Sequence, residues 1–400
     1  MLGGEMQTRV VDTDTLKRSV SKEVERRKGE LVGLSLKIHS NPELGFQEEK
    51  ASAWLTEYLE KNGFRVERGI CDLPTAFRAT YGSGRPAIAF LAEYDALPGL
   101  GHACGHNIIA ASAVGAGVAA RLAVEQAGGS VAVIGTPAEE LHGGKAFMVE
   151  RGGFDDLDAA MLVHPGVRNS AFANSLACIG LDVEFFGRAA HAAARPDEGI
   201  NALDAMLLSF NAINALRQHL RGKARIHGII TNGGEAANVI PAYSAGSFLV
   251  RAEDDVYLDE IRMKVLSCFQ AASQATGARF QYKWAEVRYA ALKTNTVLAK
   301  LFAENIKLLG RPVHRPSANK GLGSTDMGNV SVVVPAIHPS IAIAPQEVLA
   351  HSPQFAAAAC SGGGHEGLFD AARAMAMTAV DLLTQPQALE KVVAEFRRQR

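Results

Sequence analysis

The sequence predicts an α/β protein with a mainly parallel sheet covered by helices on both faces, and a ferredoxin-like α+β domain inserted into it. Two observations support this fold class. Short apolar runs at 87–95, 130–140 and 159–166 alternate with helical segments, which is typical of buried parallel strands. From 178 to 292 the predicted order becomes β-α-β-β-α-β, the split arrangement of ferredoxin-like domains.

Helical patterns precede and follow the first apolar run. Residues 12–40 have helical periodicity after an acidic capping segment, and residues 48–63 form a second helix that ends at Gly63. The uncharged stretch 107–120 is too short and too rich in small residues to span a bilayer. We therefore expect it to form a buried helix packed against the sheet.

The length of 400 residues suits two or three domains. We expect the outer domain to comprise 1–177 and 293–400, and the inserted domain to comprise 178–292. Such an insertion is plausible because compact domains accept insertions at exposed loops.

The charge balance argues against two classes of partner. Lys and Arg total 41 and Asp and Glu total 42, so there is no electrostatic reason to expect binding to nucleic acid or to an anionic membrane. A small-molecule substrate remains open. The five scattered cysteines do not resemble a disulfide framework, and the start of the chain does not resemble a signal peptide. A cytoplasmic location is the expectation.

Side chains that can bind metal follow each of the three predicted parallel strands. The carboxyl ends of such strands meet at one edge of the sheet, where ligands bind in open α/β folds. These residues are Glu93 and Asp95 after the first strand, Glu139 and Glu140 after the second, and His164 after the third. The loop "GHACGHN" at 101–107 follows the first strand closely, so its histidines and cysteine are expected at the same edge.

Three interpretations of this loop compete. Cys104 and His106 are spaced to bind one metal ion, Cys104 could be a nucleophile with a histidine base, or it could be an inert buried thiol. The nucleophile hypothesis leaves the glutamates and the histidine at the neighbouring strand ends without a role. The metal hypothesis uses them all, with one of two adjacent glutamates as a ligand and the other as a base.

Seven motifs in order resemble one known family. They are "GHACGHN", "TPAEE", "LVHPG", "GRAAHAAARPDEGINALDA", "NGGEAANVIP", "GSTDMGNVS" and "HSPQF". Together they are similar to the di-metal aminoacylase and carboxypeptidase family of peptidases, from about residue 30 to about residue 385. The resemblance is greater to the amidohydrolase branch, which holds β-alanyl-dipeptide, aminobenzoyl-glutamate and indole-acetyl-amino-acid hydrolases.

The resemblance implies a site for two divalent metal ions, with zinc or manganese favoured and cobalt or nickel as alternatives. The ligands it implies are Cys104 as the bridge, His106, Glu140, His164 and His351. It also implies that Glu139 is the general base and that Asp95 orients a ligand. One departure is Glu93, which stands where the wider family has a histidine ligand, and His102 is a spare candidate ranked below His106.

The resemblance implies that the inserted domain is a lid and a homodimerisation domain. His191 would reach the active site of the partner subunit and stabilise an oxyanion there. Asn238 and Arg251 would hold a substrate carboxylate, with His227 as a weaker candidate and Ser324 beside the pocket. His338 and His365 are left without a role.

The function implied is a metal-dependent amidohydrolase or peptidase. It would hydrolyse an amide bond of a dipeptide or N-acyl amino acid with a free carboxylate, by attack of a metal-bridged water. An aminobenzoyl-glutamate hydrolase is the first alternative. A non-catalytic metal- or ligand-binding protein on the same scaffold is the second, and the presence of Glu139 argues against it.

Overall fold

The computed structural model describes residues 12–314 and 323–399, and the chain divides into two units. The first unit comprises Met1–Asn174, Lys293–Lys320 and Asn329–Arg400, and the second comprises Ser175–Leu292 and Gly321–Gly328. The second unit thus contains a segment that the sequence assigned to the outer domain. Residues 1–11, 315–322 and 400, which the predicted outer domain includes, lie outside the described residues.

Helices and strands alternate along both units. The helices are α1 Thr13–Arg26, α2 Lys28–His39, α3 Glu49–Lys61, α4 His106–Ala127, α5 Glu139–His142, α6 Gly144–Glu150, α7 Ala202–Arg217, α8 Asp255–Thr276, α9 Thr296–Leu308, α10 Met327–Ser331, α11 Pro353–Ala359, α12 Gly362–Thr384 and α13 Pro386–Gln399. The strands are β1 Arg65–Arg68, β2 Phe77–Ser83, β3 Ala87–Ala92, β4 Gly129–Gly135, β5 Ala159–Met161, β6 His164–Gly166, β7 Ala177–Phe186, β8 Arg225–Asn232, β9 Tyr243–Ala252, β10 Arg279–Tyr289, β11 Ala336–Ile337 and β12 Ser340–Ala342.

The first unit is built on a six-stranded sheet with the order β1-β2-β4-β3-β5-β11. The four strands from β4 to β11 pair in parallel, whereas β1 and β2 add an antiparallel edge. All six residues of β3 are buried, and so are all but the first of β4. This burial explains why both strands are continuous apolar runs, and it confirms the predicted, mainly parallel sheet.

The uncharged stretch expected to be a buried helix lies in α4. This helix packs on β3 and β4 on one side and on α1, α2 and α12 on the other. It is long and apolar enough to span a membrane by length and composition, but 89% of the relevant window is buried inside the protein. Small residues allow the close packing, since a Cβ on Gly117 would lie 2.3 Å from Val133 Cγ2.

The predicted N-terminal helix is two helices. The expected cap is present, because the Asp12 side chain accepts hydrogen bonds from the Asp14 and Thr15 amides. The helical path breaks at Arg27, whose backbone has φ −98° and ψ 8°. Most apolar residues of both helices pack into the main core of the first unit, among them Leu16, Val20, Leu31 and Ile38.

The second unit has the ferredoxin-like topology that the sequence predicts. Its four strands are all antiparallel in the order β10-β7-β9-β8, and α7 and α8 pack against the sheet around a separate apolar core. Residues of β9 alternate between buried and partly exposed positions, as expected for a sheet with one covered face. Strand β8 lies at an edge of this sheet and is largely exposed.

Candidate active site

The carboxyl ends of three neighbouring parallel strands bring the candidate ligands of the first unit together. Asp95 follows β3, Glu139 and Glu140 follow β4, and His164 follows β5. The helix α4 begins at His106, immediately after the loop that carries Cys104. Its N-cap is Gly105, which has φ +81°, and a Cβ there would lie 2.9 Å from the ring of a neighbouring proline.

The Cys104 sulfur belongs to two groups of possible ligand atoms. In the first, the ligand atoms of Cys104, His106 and His164 all lie within 4.8 Å of one another. In the second, the same holds for Cys104, Glu140 and His351. A shared sulfur between two triads is the arrangement that a bridging ligand requires, so the five residues of the predicted ligand set lie in two adjoining groups that could each hold a metal ion.

The distances within each triad fit coordination of an ion. Cys104 Sγ lies 3.4 Å from His164 Nε2, and His351 Nε2 lies 3.6 Å from Glu140 Oε2. Two ligands bound tetrahedrally at zinc-like distances are about 3.5 Å apart. One pair of donor atoms in each triad is therefore separated by the spacing that a shared cation would allow.

Two donor atoms of the site are buried without a hydrogen-bond partner. Among the described residues, His106 Nε2 and Glu140 Oε1 have no hydrogen-bond partner. Buried polar atoms are normally satisfied, so each such atom calls for an unseen partner. A metal ion at the two triads supplies one, and the donor set of thiolate, imidazole and carboxylate suits zinc and other transition metals.

Asp95 holds two of the segments that carry ligands. Its Oδ1 accepts a hydrogen bond from His106 Nδ1 at 3.0 Å, and its Oδ2 accepts one from the Glu140 backbone amide at 3.0 Å. Because His106 Nδ1 donates, its Nε2 is left as a metal-binding lone pair. His164 is oriented in the same way, since its Nδ1 donates to the Pro165 carbonyl at 2.7 Å.

Burial and charge perturb the ligands in the metal-free chain. Burial raises the pKa of the Cys104 thiol to about 12. Burial also acts to lower the pKa of His106, but the facing Asp95 carboxylate outweighs it and holds that pKa well above its usual value. A bound cation competes with both protons, because only the thiolate and the neutral imidazole bind metal.

Glu139 lies beside both neighbouring ligands. Its carboxylate is within 4.8 Å of the ligand atoms of His106 and Glu140. It is the first residue of α5, and Ala138 before it has a left-handed backbone with φ +62°. The carboxylate is therefore presented to the metal positions from a sharp turn at the end of β4.

Three side chains at this edge are outside the predicted ligand set: the buried Glu93 and Lys145, and the half-buried His338. Glu93 pairs with Lys145 Nζ at 2.6 Å and lies 3.6 Å from His106 Nε2. His338 follows β11, the next parallel strand, and its ring is 5.5 Å from that of His164. Burial lowers the pKa of His338 to about 3. Its place after a parallel strand is the signal that could have assigned it to this edge of the sheet.

His102, the spare candidate, is not part of either triad. It is buried, burial lowers its pKa to about 3, and its ring lies 6.1 Å from that of His39. Within the described part of the chain it joins no group of possible metal ligands.

In the second unit, His191 and Asn238 lie on adjacent segments. His191 forms an isolated β-bridge with Val239, and the Asn238 carbonyl accepts a hydrogen bond from Ala192. His191 is exposed, and its Nδ1 accepts from the amides of Ala193 and Ala194. In the neutral imidazole the proton must then be on Nε2, which makes this atom a hydrogen-bond donor.

The other candidates of the second unit surround Arg251 on β9. Its guanidinium donates a hydrogen bond to Ser324 Oγ at 2.8 Å. His227 is on the adjacent strand β8, and burial together with the Arg251 charge lowers its pKa. The structure thus groups Arg251, Ser324 and His227, and separately His191 with Asn238.

Comparison with known proteins identifies similar sequences and folds. The profile of Peptidase family M20/M25/M40 matches residues 89–359. The chain is 39% identical to the Xaa-Arg dipeptidase of Mus musculus, over 96% of this chain and 93% of that protein. It is 37% identical to a subunit of the p-aminobenzoyl-glutamate hydrolase of Escherichia coli (strain K12), over 65% of this chain and 58% of that protein.

Two solved structures share the fold. The YXEP protein of Bacillus subtilis, a dinuclear metal binding peptidase from the M20 family, has a TM-score of 0.71 at 19% identity, over 90% of this chain and 99% of that chain. The aminobenzoyl-glutamate utilization protein from Klebsiella pneumoniae has a TM-score of 0.70 at 18% identity, over 90% of this chain and 98% of that chain.

Proposed function

We propose that this chain is a dipeptidase that releases a basic C-terminal residue. The chain belongs to Peptidase family M20/M25/M40. It is a metal-dependent amidohydrolase of dipeptides or N-acyl amino acids. The Cys104 sulfur shared by two ligand triads is the observation that carries the catalytic part of this proposal. The similarity to Xaa-Arg dipeptidases over nearly the whole chain supports the substrate class.

The metal centre would hold two divalent ions, with zinc or manganese favoured. Cys104, His106 and His164 would hold one ion, and Cys104, Glu140 and His351 the other. When bound, these cations would supply Lewis acidity to the scissile carbonyl and to the attacking water. The spacing of the donor atoms and the orphaned buried nitrogen and oxygen support this assignment.

Glu139 is proposed as the general base. Its carboxylate takes a proton from the attacking water and passes it to the departing amine. Its position beside His106 and Glu140 supports this role, because a base must reach a water that lies between the metal ligands. Glu140, the adjacent residue, serves as a ligand, so the two carboxylates divide the two tasks.

Recognition of the substrate carboxylate is proposed for Arg251 and Asn238. A guanidinium binds a carboxylate through two parallel hydrogen bonds, and Ser324 Oγ already orients the Arg251 guanidinium. His227 is a secondary candidate. Because the carboxylate belongs to the leaving residue, these contacts would select substrates with a free C-terminus.

We propose that the chain acts as a homodimer through the second unit. Apolar residues are exposed on β8 and on the neighbouring α7, among them Ile229 at 65%, Leu207 at 45% and Leu208 at 43%. Strand β8 is at the edge of its sheet, and unpaired edges are templates for another chain. His191 would then donate from Nε2 to the oxyanion in the partner's active site.

A cytoplasmic location is proposed as well. All five cysteines are free, and Cys104 must stay reduced, outside any disulfide, for its thiolate to bind metal.

Hydrolysis of a substrate panel tests the proposal. The panel comprises dipeptides ending in Arg or Lys, β-alanyl dipeptides, N-acyl amino acids and aminobenzoyl-glutamate, each incubated with metal-reconstituted and chelated protein and analysed by mass spectrometry. We expect metal-dependent loss of the basic dipeptides. Loss of aminobenzoyl-glutamate instead would establish the second candidate, which the similarity to the Escherichia coli hydrolase favours.

The base assignment has its own test. Glu139→Gln should keep both metals but lose about 10²–10⁴-fold in kcat, the usual contribution of a positioned base. The matched control is Glu150→Gln, at the end of α6. Normal turnover by Glu139→Gln would refute the role of this residue.

A further inference from the structure

Glu48 is a buried carboxylate that the site described above does not use. Its side chain is fully buried. Its Oε1 accepts a hydrogen bond from the Ala138 backbone amide at 2.8 Å, and its Oε2 accepts one from Thr75 Oγ1 at 2.9 Å. The carboxylate therefore connects the start of α3 to the turn that follows β4.

Capping of α3 does not explain this residue. Glu48 is the N-cap of the helix, but its side chain makes no capping hydrogen bond. The first free amides of α3, those of Lys50 and Ala51, donate instead to the Glu43 carboxylate, at 3.0 Å each. Glu43 caps the helix, and Glu48 is left to bind Ala138 and Thr75.

The Ala138 amide is a position where an anchor matters. Ala138 has φ +62° and ψ 43°, a left-handed conformation that residues with a Cβ rarely adopt. The residue after it is Glu139. A turn of this kind persists only when its surroundings hold it, and the Glu48 side chain supplies the acceptor for its first amide.

A second carboxylate holds the other side of Glu139. Asp95 Oδ2 accepts from the Glu140 amide at 3.0 Å. The backbone amides immediately before and after Glu139 are thus each fixed by a buried carboxylate from a different segment. Neither hydrogen bond involves the Glu139 side chain, so together they set where the backbone of this residue lies.

Packing reinforces the same connection. A Cβ on Gly45 would lie 2.9 Å from Ala138 Cβ, so the segment before Glu48 already lies directly on the turn. Thr75, the second partner of Glu48, accepts a hydrogen bond through its carbonyl from Tyr94 Oη at 2.7 Å. Tyr94 lies between Glu93 and Asp95, so the network joins the ends of β3 and β4.

We infer that Glu48 is a positioning residue, which fixes the left-handed turn at Ala138 and thereby the placement of Glu139. This inference rests on the proposed role of Glu139 as the base. A buried carboxylate is an unfavourable choice for stability alone, since an apolar side chain of similar size would be cheaper to bury. Burial, and to a lesser degree the nearby Asp95 charge, raises the pKa of Glu48 to about 7, which reflects that unfavourable environment.

The test compares Glu48→Ala and Glu48→Gln in the full-length, metal-loaded enzyme. Glu48→Ala removes the acceptor for the Ala138 amide, and a misplacement of about 1 Å costs about 10²-fold in rate. We expect kcat to fall about 10- to 100-fold with KM within about twofold. Glu48→Gln keeps an oxygen for the amide, so its kcat should stay within about threefold of the wild type. The control, Glu43→Ala, loses a helix cap from the same segment and should keep kcat.

The double variant Glu48→Ala, Glu139→Gln shows whether Glu48 acts through Glu139. If it does, adding Glu48→Ala to Glu139→Gln lowers the residual kcat by less than about twofold, because residues that act as a unit are not additive. A full, additive loss in the double variant would overturn the inference, as would an unchanged kcat in Glu48→Ala. Normal turnover by Glu139→Gln alone refutes the proposed base instead, so the two failures are distinguishable.

A second variant keeps the inference testable if Glu48→Ala does not fold or does not hold metal. Thr75→Val removes the donor that fixes Glu48 Oε2 and leaves the carboxylate in place. We expect Thr75→Val to have a kcat about three- to tenfold lower than the wild type. Its metal content, measured by elemental mass spectrometry, should be unchanged. Unchanged kcat in Thr75→Val would overturn the inference.

Discussion

Replacing Glu48 by glutamine should make the first unit more stable at high pH and leave it unchanged at low pH. The pKa of Glu48 is raised from the usual 4.5 to about 7, mainly by burial. Between these two values the folded state holds a proton that the unfolded state has lost. The stability linked to this proton is fully present below pH 4.5 and is lost as the pH rises through about 7.

The size of the effect follows from the two pKa values. Their difference of about 2.5, at 1.36 kcal/mol for each pKa unit, limits the effect to about 3 kcal/mol. Between about pH 5.5 and about pH 8 the free energy of unfolding that is linked to this proton falls by about 2 kcal/mol. Glutamine does not ionise, so the wild type should lose about 2 kcal/mol relative to Glu48→Gln over this interval.

Urea unfolding of the metal-free proteins measures this difference. The chain has two tryptophans, Trp54 in α3 of the first unit and Trp284 in β10 of the second. A Trp284→Phe background therefore makes fluorescence report the unit that contains Glu48. A stability difference that stays constant within about 0.5 kcal/mol at both pH values would refute the reasoning, because the carboxyl would then titrate alike in the folded and unfolded chain.

Three further predictions concern the candidate metal site and the loop 101–107. Asp95→Asn should weaken metal binding about 10- to 100-fold, measured by competition with a chromogenic chelator. The reason is that the His106 imidazole and the Glu140 backbone amide lose the carboxylate that accepts their hydrogen bonds. An unchanged metal affinity would contradict the orienting role of Asp95. Gly105→Ala should lower the free energy of unfolding by about 1–3 kcal/mol. The loss should exceed that of Gly310→Ala, because Gly310 has a similar φ of +82° but open space around it. Equal losses would show that the contact of residue 105 with the proline ring is irrelevant. Cys104→Ser should reduce the metal content of both positions, whereas Cys360→Ser keeps it; a loss of one ion only would argue against a bridging sulfur.

The core of the site is predictable from the ends of the buried strands. Buried parallel strands are continuous apolar runs in the sequence, so Asp95, Glu139 and His164 can be placed at one edge of the sheet without coordinates. His338 is given no role, although the apolar run 330–337 before it is typical of a further strand. The same rule applies to this strand, but a helix contains the start of the run and β11 only its last two residues, so the sequence does not show where the strand ends.

Other features depend on contacts that a sequence does not reveal. Ala138 carries no preference for a left-handed turn, so nothing marks it as a residue that needs an anchor, and Glu48 has the pattern of an ordinary helix start. Arg27 interrupts the N-terminal helix although its side chain does not disfavour helix, so the break is visible only in its backbone dihedrals. Lys145 lies within a helix in sequence, and only the fold buries its ammonium against Glu93.

The helix α4 joins the metal site to the interior of the protein. Its first residue is the proposed ligand His106, and the rest of the helix is among the most deeply buried segments of the first unit. Opening that releases His106 is therefore coupled to the cooperative unfolding of the core around α4. A cation bound at the start of α4 shifts this unfolding equilibrium toward the folded state by mass action. Slow amide hydrogen exchange along the middle of α4, far from any ligand, should consequently become slower still when metal is added. The stability of the folded enzyme in the cell would then depend on the concentration of available metal.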